Sequence, residues 1–149
     1  MLEVVNLACT RGDRPLFREL SFALAPGELL HVRGENGSGK TTLLRTLCGL
    51  SQPAAGEVRW NGQSIREQPE TYREQLCYIG HGNAIHGDLT PVENLQFEAC
   101  LGAEDWIEAQ PALASQGLGR VASLPAKLLS QGQKRRVALA RLAVLKRTF

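Results

Sequence analysis

The apolar positions change period several times along the chain, and each change predicts a different element. Residues 2–7 alternate loosely, as a strand does, and residues 16–24 put Leu20, Phe22 and Leu24 on one face of a second strand. Pro26-Gly27 marks a turn. The run Leu29-Leu30-His31-Val32 stops at Gly34, the pattern of a strand buried on both faces. From Lys40 the period becomes helical, with Leu43, Leu44, Leu47 and Leu50 recurring at helical spacing and Gly49 offering a C-terminal stop. Pro53 and Gly56 open a turn, residues 57–60 read as a short strand, and Asn61-Gly62 is a hairpin signal.

In the second half, residues 76–80 read as a strand entering a loop at His81. Residues 90–101 read as a helix starting at Thr90 or Pro91. Residues 102–128 read as short helices broken by Pro111, Gly117, Gly119 and Pro125. Ser130 is placed to cap a helix from Gln131 to about Lys146, with Val137, Leu139, Leu142 and Val144 mostly facing inward. No internal repeat or low-complexity linker interrupts this order, and strands mixed with helices around a glycine loop predict an α/β fold.

Composition changes this picture little. The 149 residues suit one domain, and 43% hydrophobic with 21% charged is an ordinary soluble balance. Aromatics at 5% predict a core of Leu, Val and Ala. Cys9, Cys48, Cys77 and Cys100 form no CxxC pair and read as buried thiols of a reducing compartment. The N-terminus lacks the flank and apolar stretch of a secretion signal, and no run reaches the ~18 apolar residues of a membrane span. The expected location is therefore cytosolic, with membrane contact made through a partner.

Charge is unevenly placed. Residues 1–108 hold all 15 carboxylates and 9 Lys/Arg, whereas residues 109–149 hold 8 Lys/Arg and no carboxylate. Such asymmetry marks either an anionic partner or a chain that stops early. No aromatic platform interleaves the basic residues, so nucleic-acid binding is not expected.

The chemistry lies in Gly34-Glu35-Asn36-Gly37-Ser38-Gly39-Lys40-Thr41-Thr42, which fits G-x-x-x-x-G-K-[ST] at every fixed position. Glycines let the backbone bring its N–H groups against phosphate oxygens, and the helix that begins there adds unpaired amides and a positive dipole end. Lys40 supplies a mobile charge for the β- and γ-phosphates of ATP, and Thr41 offers a hydroxyl to Mg²⁺. A P-loop alone names no function, since kinases, GTPases and motors share it.

A second motif narrows the choice. Leu129-Ser130-Gln131-Gly132-Gln133, followed by a basic helix, resembles the signature of ATP-binding-cassette ATPases, with Gln131 in place of the first glycine of LSGGQ. The resemblance spans the chain and extends to the haem-exporter ATPases of bacterial cytochrome c maturation. It rests there on Arg14-Pro15-Leu16-Phe17 with Leu20-Ser21-Phe22, on Tyr78-Ile79-Gly80-His81, and on Leu89-Thr90-Pro91-Val92-Glu93-Asn94-Leu95.

This resemblance implies a P-loop NTPase fold with a β-subdomain and a helical subdomain at roughly 90–130. It also implies a homodimer in which each signature meets the ATP held by the other copy, together with exporter membrane subunits as partners. The implied place is the cytoplasmic face of the bacterial inner membrane, bound peripherally. His81 stands where most relatives carry a Gln that touches Mg²⁺ and the attacking water, which makes it the implied catalytic residue. With no acidic or thiol ligand framing them, His81 and His86 are not expected to be a metal pair. Arg11, just before Gly12, stands where many relatives carry an adenine-stacking aromatic, and a guanidinium can also stack on a base.

In the family an apolar strand ending Asp-Glu follows the signature. Here eight residues follow Arg141 and the last carboxylate is Glu108, so the charge asymmetry reads as truncation before that strand. Glu35 is the nearest substitute base. ATP binding without hydrolysis is therefore expected of these 149 residues alone. Two other readings stay open at this level: a cassette ATPase for another substrate, and a non-catalytic nucleotide-binding fragment.

Overall fold

The computed structural model describes residues 1–80, 84–101 and 109–144. They form two compact units, Met1–Glu74 and Gln75–Phe149.

The first unit is built on a four-stranded antiparallel sheet of order β2-β1-β3-β4, with β1 at Leu2–Arg11, β2 at Arg14–Leu24, β3 at Ala55–Trp60 and β4 at Gln63–Ser64. Strand β1 buries Leu2 and Val4, then Leu7 and Cys9, so its inward parity switches from even to odd. A break in register against both neighbours makes the switch, at Asn6 with φ of 47°. An extra residue in one strand is what a bulge supplies. The bulge is fastened by the Asn6 N–H donating to Ser21 Oγ at 2.9 Å. Opposite it, Gly56 sits at φ +75°, where a Cβ would lie 2.3 Å from the Asn6 carbonyl oxygen. Only glycine fits there. Burying each of Leu2, Val4 and Leu7 contributes ~1.5–3 kcal/mol.

Helix α1 (Lys40–Leu47) buries Leu43, Thr46 and Leu47, and Cys9 Sγ lies 3.6 Å from Thr46 Oγ1, joining β1 to the helix. Its C-terminus closes in a Schellman turn: Gly49 at φ +67° donates to Thr46 O, and Leu50 N donates to Arg45 O. Asn61 and Gly62 both have positive φ, 51° and 81°, as a type I′ hairpin requires. A short helix, α2 (Pro69–Glu74), is tied to the end of α1 by Tyr72, whose hydroxyl donates to Leu47 O at 2.7 Å.

The second unit packs α3 (Pro91–Leu101), α4 (Ala109–Ser115) and α5 (Gln131–Val144) with two 3-10 turns at 119–121 and 126–128. Its core joins Leu95, Leu113, Leu118, Leu129 and Val137 with alanines of α4, of α5 and of the segment between them, in keeping with the expected Leu, Val and Ala. Thr90 caps α3 in a capping box with Glu93: the Glu93 N–H donates to Thr90 Oγ1, and Thr90 N and Oγ1 donate to Glu93 Oε2 at 2.7 and 2.8 Å. Helix α4 ends at Gly117, φ +68°, in a second Schellman turn that buries Leu118.

Several expectations are corrected. Residues 29–32 form no strand, and Leu29 is 92% exposed. A buried strand needs hydrogen-bonded neighbours, and none of the described residues pairs with this run. Residues 76–80 lack strand structure for the same reason. Leu139 and Leu142 point outward, because Val137, Ala138, Ala140 and Arg141 occupy the inward face of α5. Pro111 lies inside α4, in the first turn, where its missing N–H costs no bond. Gly56 belongs to β3 rather than to the turn before it. Of the four cysteines only Cys9 and Cys48 are buried. Cys77 is half-buried and Cys100, one step round the helix from buried Ala99, is exposed.

Candidate nucleotide-binding site

The glycine loop closes on itself through a turn in which Ser38 N donates to Glu35 O at 3.2 Å. It leads into α1 through Gly39, which takes the N-cap position in the left-handed conformation, φ 98° and ψ 6°. No side chain caps this helix end, and its first turn carries no acidic residue. The opening amides and the positive end of the helix dipole are thus left facing the loop. Gly39 also lies close to the sheet: a Cβ there would be 3.1 Å from Leu16 Cβ and 3.3 Å from the Phe17 ring. Strand β2 therefore backs the loop and holds it in place.

The Lys40 ammonium folds back over the loop and donates to Gly34 O at 2.6 Å and Glu35 O at 2.7 Å. Beside it opens a cleft of about 220 Å³. Its floor is Asn36, Gly37, Gly39, Lys40, Thr41 and Thr42, and its wall is Arg11 and Leu16. The structure thus joins Arg11, at the end of β1, to a loop more than twenty residues further on. Gly34, Glu35 and Ser38 do not line the cleft. They shape the loop behind it, with a Cβ at Gly34 falling 2.7 Å from Ser38 Oγ.

At the far end of α1, burial pushes the Cys48 thiol up to about 11 and the Tyr72 phenol higher still. Neither is a nucleophile near neutral pH.

The signature residues lie in the second unit. Leu129 is buried and anchors the segment, while Ser130, Gln131 and Gly132 are exposed at the start of α5. Ser130 and Gln133 form a capping box: Gln133 N donates to Ser130 Oγ at 3.2 Å and Ser130 N donates to Gln133 Oε1 at 2.8 Å. The Ser130 hydroxyl accepts in this box, which leaves its proton to donate outward. Gln131 is the first residue of the helix and has no positive φ, so a side chain there introduces no backbone strain. His81 lies outside the described residues.

Other residues stand out only in three dimensions. Asn94, inside α3 and 3% exposed, donates to the carbonyls of His86, Leu89 and Thr90 and accepts from His86 N at 2.8 Å. It folds the 86–90 segment onto the helix. Arg141, with a side chain 7% exposed, donates to Ala84 O at 2.5 Å and pairs with Glu98 at 2.7 Å. Arg135 donates to Gly80 O at 3.0 Å. The helix that begins at the signature therefore holds the backbone at both Gly80 and Ala84. An Asn between Leu95 and Pro91 on an inward face was the available signal, whereas nothing local marks the arginines.

The profile of the ABC transporter family matches residues 17–149. The cytochrome c biogenesis ATP-binding export protein CcmA of Dechloromonas aromatica is 55% identical over 149 residues, covering 99% of this chain and 73% of that protein. Its Pseudomonas aeruginosa counterpart is 48% identical, with 99% and 73% covered. Among solved structures, the ATP-binding subunit of an ABC transporter superposes with a TM-score of 0.78 at 31% identity, over 95% of this chain and 60% of that one. An ABC transporter ATP-binding protein from Pyrococcus furiosus gives 0.86 at 25% identity, with 98% and 71% covered. The chain thus spans somewhat under two thirds to three quarters of these relatives. It belongs to the ABC transporter family of ATP-binding proteins, in the group of cytochrome c biogenesis ATP-binding export proteins.

Proposed function

We propose that this chain binds Mg-ATP as the ATPase subunit of an exporter serving c-type cytochrome biogenesis, with haem as the cargo. The observation that carries the reading is the Lys40 ammonium, held over a cleft of backbone amides by two loop carbonyls. A triphosphate entering the cleft takes the ammonium from those neutral acceptors, and the amides at Gly39 and Lys40 meet its oxygens. At about 220 Å³ the cleft suits a phosphate chain, with the base lying over Arg11 outside it. Thr41 lines the cleft and offers one hard oxygen ligand, which fits a Mg²⁺ carried in on phosphate oxygens. Among the described residues no group of three His, Cys, Asp or Glu is placed to hold a metal by itself. Bound there, Mg²⁺ neutralises phosphate charge.

Ser130, with the amides that open α5, meets the nucleotide of a second copy, and His81 senses the γ-phosphate. Among the described residues no helix is long and apolar enough to cross a membrane. Attachment to the membrane therefore runs through the exporter's membrane subunits. Co-sedimentation tests this: the protein pellets with membranes containing those subunits, is released by salt, and stays in solution when they are deleted. Pelleting with membranes that lack them would count against the reading.

A further inference from the structure

A second cavity of about 260 Å³ opens in the first unit at the opposite end of α1 from the phosphate cleft. Helix α1 has eight residues, so the two sites are separated by ~12 Å of helix. Val58, Ile65, Pro53 and the Tyr72 ring give the cavity an apolar side, beside the polar Thr46, Ser51 and Gln52. Arg66 and Arg73 are its charged lining residues, and no carboxylate lines it.

The two arginines differ in what already holds them. Arg73 donates to Gly49 O at 3.3 Å, which spends one of its five N–H groups and fixes the guanidinium at the end of α1. Arg66 has no ion pair among the described residues, and only its backbone N–H, to Ser64 Oγ, makes a hydrogen bond. The Tyr72 hydroxyl is used by Leu47 O, so it presents its ring and not its polar tip. A planar fork of donors beside the apolar side chains of Val58, Ile65 and Tyr72 matches a carboxylate on a compact hydrophobic body. A volume of about 260 Å³ corresponds to roughly nine waters, the size of a ligand of about ten heavy atoms.

We propose that this cavity is a binding site for a small organic carboxylate, with Arg66 and Arg73 taking the anionic head and Val58, Ile65 and Tyr72 the apolar body. The site is separate from the nucleotide cleft and does not depend on the proposed export function.

The probe is 3-phenylpropionate, titrated into the 149-residue chain and followed by amide chemical shifts. Neutral 3-phenylpropionamide and inorganic phosphate serve as comparison ligands. The expected result is saturable shifts confined to residues 46–73, with a Kd on the order of 1 mM, as fits a fragment-sized ligand. The amide, which lacks the charge, and phosphate, which lacks the body, should bind at least about tenfold more weakly. Arg66→Gln should weaken 3-phenylpropionate about tenfold or more without moving the melting temperature, since that guanidinium holds nothing else in place. Arg66→Lys, which keeps the charge without the planar fork, should lose less. Saturating Mg-ATP should leave the affinity unchanged. Absence of saturable shifts, equal binding of the amide, equal binding by Arg66→Gln, or displacement by Mg-ATP would each overturn the assignment.

Discussion

Replacing Lys40 with alanine separates nucleotide recognition from the fold of the loop. In the loop the ammonium donates to Gly34 O at 2.6 Å and Glu35 O at 2.7 Å. Both residues are exposed, so water can replace the lysine on those carbonyls. Stability should then change by no more than about 0.5 kcal/mol. ATP binding exchanges two neutral acceptors for charged phosphate oxygens. Water-exposed carbonyl bonds cost little to give up, whereas a contact between the ammonium and a charged phosphate oxygen is worth ~1.5–3 kcal/mol. Losing one such contact corresponds to roughly a 10- to 150-fold loss of affinity in the mutant.

Calorimetric titration of both proteins with Mg-ATP and with AMP reads this directly. AMP has no β- or γ-phosphate for Lys40 to meet, so its affinity should hardly change. Equal ATP affinities would refute the placement of the triphosphate beside Lys40. An equal loss for AMP would show a diffuse field effect in place of a contact. A Lys40→Ala protein that unfolds would show that the two carbonyl bonds matter for stability.

Gly39→Ala forces a side chain onto φ +98° and into contact with Leu16 and Phe17. It should lower stability by about 1–3 kcal/mol, read as a shift of the urea midpoint, and an unchanged midpoint would contradict the described loop. Arg141→Ala and Glu98→Ala each break a pair whose arginine is 7% exposed and whose glutamate is 28% exposed. Partial solvation of Glu98 limits the cost to about 1–3 kcal/mol, and thermal melts of the double mutant should show less than the sum. Hydrogen bonds from the Thr90 backbone and hydroxyl hold the Glu93 carboxyl below its usual 4.5. A depressed folded value means that this contribution is present above about pH 4.5 and is lost as the pH falls through the lower folded value. Glu93→Gln should therefore flatten the acid side of the stability curve, and an identical acid limb would show that the capping box adds nothing.

Much of this protein was legible in short stretches of sequence, because the chemistry concerned is local. Asn61-Gly62 forms its turn, Gly49 ends its helix, and Thr90 and Ser130 cap theirs, through backbone geometry reaching only a few residues. The glycine loop belongs to the same class: its glycines, Lys40 and the helix start are consecutive, and their spacing is their function.

Hydrophobic pattern alone was insufficient wherever the outcome needed a distant partner. Residues 29–32 carry the apolar run of a buried strand, yet a strand exists only where another offers its hydrogen bonds. On α5 two apolar stripes were available, and packing against α3 and α4 chose the one bearing Val137 and Ala140 over Leu139 and Leu142. The parity switch in β1 required Gly56, some fifty residues away, to admit the bulge at Asn6. Arg11 meets the loop because β1 and β2 fold back across it, and Arg141 is buried because Glu98 is there to neutralise it. Local sequence set the phosphate loop and the caps, whose bonds close within a turn or two. Tertiary structure decided which apolar residues are buried and which charges meet, because those energies depend on neighbours that the chain brings together only by folding.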